Sequence, residues 1–319
     1  MCIAVIPLVA VAQEQGLRDR DPQLDQSKRI ASDLQRATLH YGPFYLLSSI
    51  QLADVGYERT DQFWVPTSDQ ASGLTLGINA PQRLYFVPRK KVVFSLEAVP
   101  GYSFYANDDG DDIDEETDDG YGSQFGYSTR ASMQLLLNHL YLDTYVGVSD
   151  SLRANIGEIN RLATVREQSY GVGGEYKHSS KTSIFFSGNK RSSEYPRDRL
   201  QPEDRPIRLL GRDETNGRVS IFHKTLPRTS FLAAVEANHY NFDELTTRDS
   251  SRNYAGAGLA YEHGRTLLRA EAGVARLDFE RSDNDFEGMT GNVTFNQGIG
   301  DRLAIQATLV RDVEFSIYE

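Results

Sequence analysis

Cysteine is almost missing from this chain. Cys2 stands alone among 319 residues, so no intrachain disulfide and no thiolate cluster for a metal can be built. Long apolar runs are missing too. The longest, Ile3 to Ala12, contains Pro7 and falls short of the roughly 20 residues that a membrane-crossing helix needs. No phosphate loop, heptad repeat or metal-ligand spacing occurs, which leaves no motif for a cofactor or a metal. An excess charge of one sign is only local. The net charge of -11 comes from one run, Asn107 to Gly120, which holds Asp108, Asp109, Asp111, Asp112, Asp114, Glu115, Glu116, Asp118 and Asp119. Elsewhere acids and bases nearly balance, so the chain has no electrostatic footprint for nucleic acid.

What the chain does have is an alternation of connection lengths. Tight turns fall near Pro88 to Lys90, Asn138 to His139, His178 to Lys181, His223 to Arg228, His263 to Arg265 and Gly298 to Asp301. Between them lie longer polar excursions near Glu58 to Gln70, Asn107 to Gly120, Ser149 to Arg166, Arg191 to Asp213, Asn241 to Arg252 and Glu280 to Asn284. A soluble sheet has no reason to trim one rim and extend the other. A transmembrane β-barrel does, having short turns on one side and long loops on the other. Mean hydropathy of -0.48 does not oppose this, because a barrel strand shows only alternate residues to lipid.

The segments between these connections carry a period of two. Phe125, Tyr127, Thr129, Ala131, Met133, Leu135 and Leu137 point one way, with Gly126, Ser128, Arg130, Ser132, Gln134 and Asn138 opposite. Val92 to Phe104 sets Phe94, Leu96, Ala98, Tyr102 and Phe104 against Ser95, Glu97, Gly101 and Ser103. Arg265 to Asp278 sets Leu268, Ala270, Ala272 and Val274 against Arg269, Glu271 and Gly273, and the last segment sets Leu303, Ile305, Ala307 and Leu309 against Arg302, Ala304, Gln306 and Thr308. Nine weaker segments are Phe44 to Tyr57, Gly73 to Phe86, Leu140 to Val148, Ser169 to Tyr176, Thr182 to Asn189, Thr215 to Phe222, Phe231 to Tyr240, Tyr254 to Glu262 and Phe286 to Asn296. Most approach the roughly 9 to 11 residues of a tilted membrane strand, longer than the 5 to 6 typical of a soluble sheet.

The expected fold is therefore an all-β, antiparallel, up-and-down transmembrane barrel with about 13 strands in this chain. A soluble sandwich or propeller also alternates, but it accounts for neither the loop asymmetry nor the start of the chain. An odd strand count implies truncation from a barrel of about 14 to 16 strands, since bacterial single-chain barrels have even counts. Ala10-Val11-Ala12 before Gln13 fits signal-peptide cleavage, although the usual positive n-region is missing and implies an upstream start. The expected organisation is a signal peptide over 1–12, a polar periplasmic leader over 13–40 and the barrel over 41–319. The leader, with Leu24, Ile30, Leu34 and Leu39, reads as a short helix or a disordered segment, with too little apolar surface for a plug.

The lumen of such a barrel would be lined by Glu97, Arg130, Gln134, Asp143, Glu175, Arg218, Glu236, Arg269 and Glu271. Mixed signs at this spacing give weak polar sites rather than one pocket, unless the charges simply pair across a narrow lumen. The Asp108 to Asp119 run reads as a solvated extracellular loop; calcium or lipopolysaccharide bridging is the sharper alternative, and the spacing does not match a twelve-residue calcium loop. Aromatics near strand ends, among them Tyr85, Phe86, Tyr141, Tyr240, Phe279 and Phe295, fit interfacial girdles. His139, His178, His223 and His263 fall at tight turns with no nucleophile motif beside them, and Asp143 with Glu175 is the one candidate carboxylate pair. The faces predict that Ala272→Arg disrupts assembly while Gly273→Arg is tolerated.

Tyr41-Gly42-Pro43-Phe44, the Leu74 to Phe86 segment and the turn Lys224-Thr225-Leu226-Pro227-Arg228-Thr229-Ser230 resemble the outer-membrane β-barrel porin families. The resemblance is strongest to the porin 2-like group associated with capsule and exopolysaccharide. It spans about Tyr41 to Glu319 and implies an outer-membrane location in a Gram-negative-type bacterium, with saccharides as candidate solutes. It transfers no residue role. The expected function is a non-enzymatic channel for polar solutes or polysaccharide export, without a cofactor and with outer-membrane lipid and lipopolysaccharide as its surroundings. A non-conducting structural or adhesive barrel is the alternative, and an outer-membrane hydrolase stands third.

Overall fold

A computed structural model describes residues 26–59, 72–89, 91–107, 121–153, 163–195, 209–281, 285–299 and 303–311. The cleavage segment and the acidic run Asp108 to Asp119 lie outside the described residues. One helix, α1 (Gln26–Gln35), precedes a single antiparallel sheet. Its first strands are β1 (Leu39–Tyr41), β2 (Phe44–Ser48), β3 (Gln51–Arg59), β4 (Ser72–Asn79), β5 (Gln82–Arg89) and β6 (Val92–Asn107). Then come β7 (Tyr121–Leu136), β8 (Leu140–Arg153), β9 (Ala163–Lys177), β10 (Thr182–Glu194) and β11 (Arg212–Leu226). The last are β12 (Thr229–Phe242), β13 (Ser250–His263), β14 (Thr266–Phe279), β15 (Phe286–Ile299) and β16 (Leu303–Arg311).

The sixteen strands make thirteen crossings, the number that the periodicity predicts. Two crossings are interrupted rather than divided. β2 with β3, and β4 with β5, break at one level where Pro81 faces the backbone of Ser49 and Pro100 accepts from the Ala80 amide. Proline has no N–H for the ladder, yet Asn79 still pairs with Gly101 and Gln82 with Ala98, so the register passes through unchanged. The extra strand is β1: Gly42, at φ +57°, turns the chain into a hairpin between Tyr41 and Phe44.

From β5 to β16 each crossing pairs with the next, with tight turns gathered on one rim and longer connections on the other. The sheet is not closed. Among the described residues the β16 edge pairs with neither β1 nor β3. The first and last crossings run in the same direction, so direct contact between them would be parallel, whereas the three-residue β1 runs opposite to β2.

The two faces differ in the sense opposite to a soluble protein. Phe94, Leu96, Tyr127, Val146, Val172, Ile221, Val235, Leu259, Val274 and Met289, the last 68% exposed, stand on the outer face. Buried charges and amides, including Glu175, Glu271 and Asn238, stand on the inner one. Apolar side chains also occur inside, but only in small groups such as Ile30 with Tyr85 and Val93. Among the described residues no oily centre joins the strands.

Candidate functional site

All nine residues expected on the inner wall border one cavity of about 770 Å³: Glu97, Arg130, Gln134, Asp143, Glu175, Arg218, Glu236, Arg269 and Glu271. A volume of that size holds on the order of two dozen waters at liquid density. Period-two geometry brings them there. Within β14 the exposed Leu268, Ala272 and Val274 alternate with Arg269, the 9%-exposed Glu271 and Gly273.

At mid-height the wall formed by β11 to β14 carries a connected charge network. Arg218 donates through Nη1 to Glu236 Oε2 (2.8 Å) and through Nη2 to Glu271 Oε1 (2.6 Å). Arg252 donates to the other Glu236 oxygen (3.1 Å), and Arg269 to the other Glu271 oxygen (2.9 Å). Tyr254 Oη donates to Glu271 (2.9 Å) and Asn238 Nδ2 to Glu236 (2.7 Å). Three guanidinium groups therefore meet two carboxylates, and the patch keeps a net positive charge. Sequence reading places Arg218, Glu236, Arg269 and Glu271 on one face but misses Arg252 and Tyr254, although both fall on the inward parity of β13.

The opposite wall, from β5 to β9, leans acidic. Arg130 pairs with Asp143 (3.3 Å) and lies 3.8 Å from the centroid of the Tyr145 ring. Arg83 pairs with Glu97 (2.8 Å), and Ser183 Oγ donates to Glu175 (2.9 Å). Asp143 and Glu175 have separate donors and stand as diagonal neighbours on β8 and β9, since Asp143 pairs with Gly173 and Tyr141 with Glu175. Toward the long-connection rim, Arg191 and Arg212 share Glu214 at 2.5 and 2.7 Å. In the 243–249 connection, partial burial and the neighbouring Asp213, Glu194 and Glu244 push the Asp243 carboxyl above its usual range.

Hydrogen-bonding capacity is left over on the lining. Gln134, Thr290 and Asn296 line the cavity, and their Oε1, Oγ1 and Oδ1 atoms, closed off from solvent, have no hydrogen-bond partner among the described residues.

The leader helix lies inside. Ile30, 5% exposed, and Leu34 project from one face of α1 onto Tyr45, Leu47, Tyr85, Val87, Val93, Leu136 and Tyr141 near the tight-turn rim. Asp33 fixes the helix by accepting from Tyr85 Oη (2.7 Å) and Arg83 Nη1 (3.1 Å). Read from the sequence, the leader has too little apolar surface for a plug. The wall here is itself apolar, so two helical side chains and one carboxylate are enough to seat α1.

The glycine face of β13 and β14 also departs from expectation. A Cβ on Gly273 would strike the Ala255 carbonyl and the Tyr254 ring. Gly273→Arg is therefore not the tolerated control that its inward parity predicts. Asn292, inward and exposed on β15, takes that place.

The histidines are spread along the rims: His223 Nδ1 meets Thr182 Oγ1 (2.9 Å) and His239 Nδ1 meets Ser251 Oγ (3.1 Å). No group of three or more His, Cys, Asp or Glu among the described residues is placed to hold a metal.

No family model matches the chain, so the porin-family expectation gains no support from that source. No curated protein matches it either. Among solved structures, an outer membrane channel from Pseudomonas putida F1 aligns with a TM-score of 0.40 and 9% identity, covering 86% of this chain and 98% of that one. A likeness at that level names no substrate and no residue.

Proposed function

We propose that this chain is an outer-membrane β-barrel channel for polar solutes. The observation that carries the reading is the inverted distribution of polarity, with large apolar side chains on the outer face and ion pairs beside a cavity of about 770 Å³ within. Such an exterior is stable against lipid and aggregates in water. In hydrocarbon every backbone N–H and C=O needs a partner, so the β16 edge and the β1 and β3 edges must be covered, by one another or by a further strand. Outer-membrane lipid and lipopolysaccharide are then the surroundings, and polar solutes, with saccharides or an exported polysaccharide among them, are the cargo. The polar lining of Ser95, Ser132, Asn292 and Thr294 suits that chemistry.

The rival is a non-conducting structural barrel, favoured by α1 occupying part of the inner wall and by ion pairs that satisfy one another. Planar bilayers separate the two. Folded protein should give discrete conductance steps, and a silent bilayer from correctly folded material would support the structural role instead. Ile30→Asp places an unpaired carboxylate against Tyr85 and Val93 and should release α1. The expected result is a larger unitary conductance with unchanged heat-modifiable gel migration; equal conductance would mean that α1 does not restrict the pore.

A further inference from the structure

The last rung of the sheet at the tight-turn rim is cationic toward the lumen. Lys91 stands opposite Leu136, an inward residue, since the Leu136 amide donates to the Lys91 carbonyl. Lys177 pairs with Ser183, whose hydroxyl reaches the inward Glu175. The Lys224 amide donates to the Lys181 carbonyl, which makes these two lysines cross-strand neighbours. Arg265 continues the inward parity of Leu267 and Arg269, and its side chain lies over the position a Cβ on Gly298 would take. At the same level Glu262 stands opposite Arg228, which leaves Lys91, Lys181 and Lys224 to carry the unbalanced charge.

Lys91, Lys181, Lys224 and Arg265 are exposed, and Lys91, Lys181 and Lys224 make no ion pair among the described residues. Like charges directly opposite one another destabilise a sheet, so the Lys181–Lys224 pair costs stability and brings no internal return. Strands lie about 4.8 Å apart, well inside the Debye length of about 10 Å at 0.1 M salt, so the fields of neighbours add.

We propose that this mouth is a collecting site for anionic solutes bearing carboxylate or phosphate groups, which the channel then admits; the inference rests on the channel reading above. The same chemistry in a lipid headgroup is the competing source, but the lysines follow the inward parity. The outward positions beside them are Tyr176, Phe231, Tyr261, His223 and His263. Lys224 and Arg265 stand on the β11 to β14 wall, which carries the guanidinium cluster of Arg218, Arg252 and Arg269 further in.

The test is polyglutamate block of single channels in planar bilayers, comparing the wild type with the triple variant Lys91→Gln, Lys181→Gln, Lys224→Gln, all exposed positions. At about 0.1 M KCl the wild type should be blocked from one side only, and the variant's blocking on-rate should fall about tenfold. In 1 M KCl, where the Debye length is about 3 Å, the difference should vanish. Equal on-rates in the two proteins, or equal block from both sides, would overturn the proposal while leaving a channel in place. An unchanged block together with weaker binding of the variant to vesicles containing phosphatidylglycerol would assign the collar to lipid and overturn it as well. Folded protein that never conducts would overturn the channel reading itself.

Discussion

Ala272→Arg should lower the stability of the membrane-inserted protein by about 2 to 4 kcal/mol, whereas Asn292→Arg should leave it nearly unchanged. Ala272 lies midway along β14 on the exposed outer face, between Leu268 and Val274 on the same side, and pairs with Ala257 and Gly291 in the flanking strands. An arginine there has no partner within reach and must carry its charge into hydrocarbon. Asn292 lies on β15 opposite Glu271 and borders the cavity, so an arginine at that site stays wet and gains a carboxylate neighbour. Refolding into bilayers of fixed composition, followed by denaturant titration, measures the difference. Similar losses for the two variants would mean that the faces are wrongly assigned.

The second large effect belongs to Glu271. Its two oxygens accept from Arg218, Arg269 and Tyr254, and its side chain is 8% exposed. Removing one member of a buried ion-paired group costs about 3 to 5 kcal/mol when the partner is left uncompensated. Glu271→Ala should fall toward the lower end, because Arg218 keeps Glu236 and the cavity admits water. The same change raises the net positive charge of that wall. A channel carrying it should shift its reversal potential in a salt gradient toward anion preference. Arg218→Met combined with Glu271→Leu, which removes both charges, should recover part of the lost stability and reverse the selectivity shift. A double variant no better than the single one would show that the pair does not act as a unit.

The fold was legible because a barrel strand writes its two faces into alternate residues. The Leu268 to Val274 stretch states its register without help from any contact, and the tight turns mark where each crossing ends. Features that depend on the third dimension were not legible. Arg252 and Tyr254 join the charge network only because β13 sits between β12 and β14, and nothing in the local pattern distinguishes them from other inward polar residues. Gly273 reads as open lumen from its parity, yet the Tyr254 ring of the neighbouring strand covers it. The seat of α1 was hidden for a related reason. Tyr45, Leu47, Tyr85, Val93, Leu136 and Tyr141 are scattered along the chain, and only the sheet gathers them into an apolar ledge.

The cationic collar is an intermediate case. Each lysine is visible in its own turn, but the meeting of Lys181 with Lys224 depends on which turns are neighbours. Overall charge conceals it, because the acidic run Asp108 to Asp119 dominates the net value of -11.

The central claim is an apolar surface against lipid and a wet one within, and spin labels placed one at a time along 267–275 of β14, in a Cys2→Ser background, test it most directly. Collision rates with oxygen should peak at 268, 270, 272 and 274, and rates with a water-soluble nickel chelate should peak at the positions between them. Accessibility without a period of two, or with the nickel chelate favouring the Leu268 and Val274 side, would contradict the account.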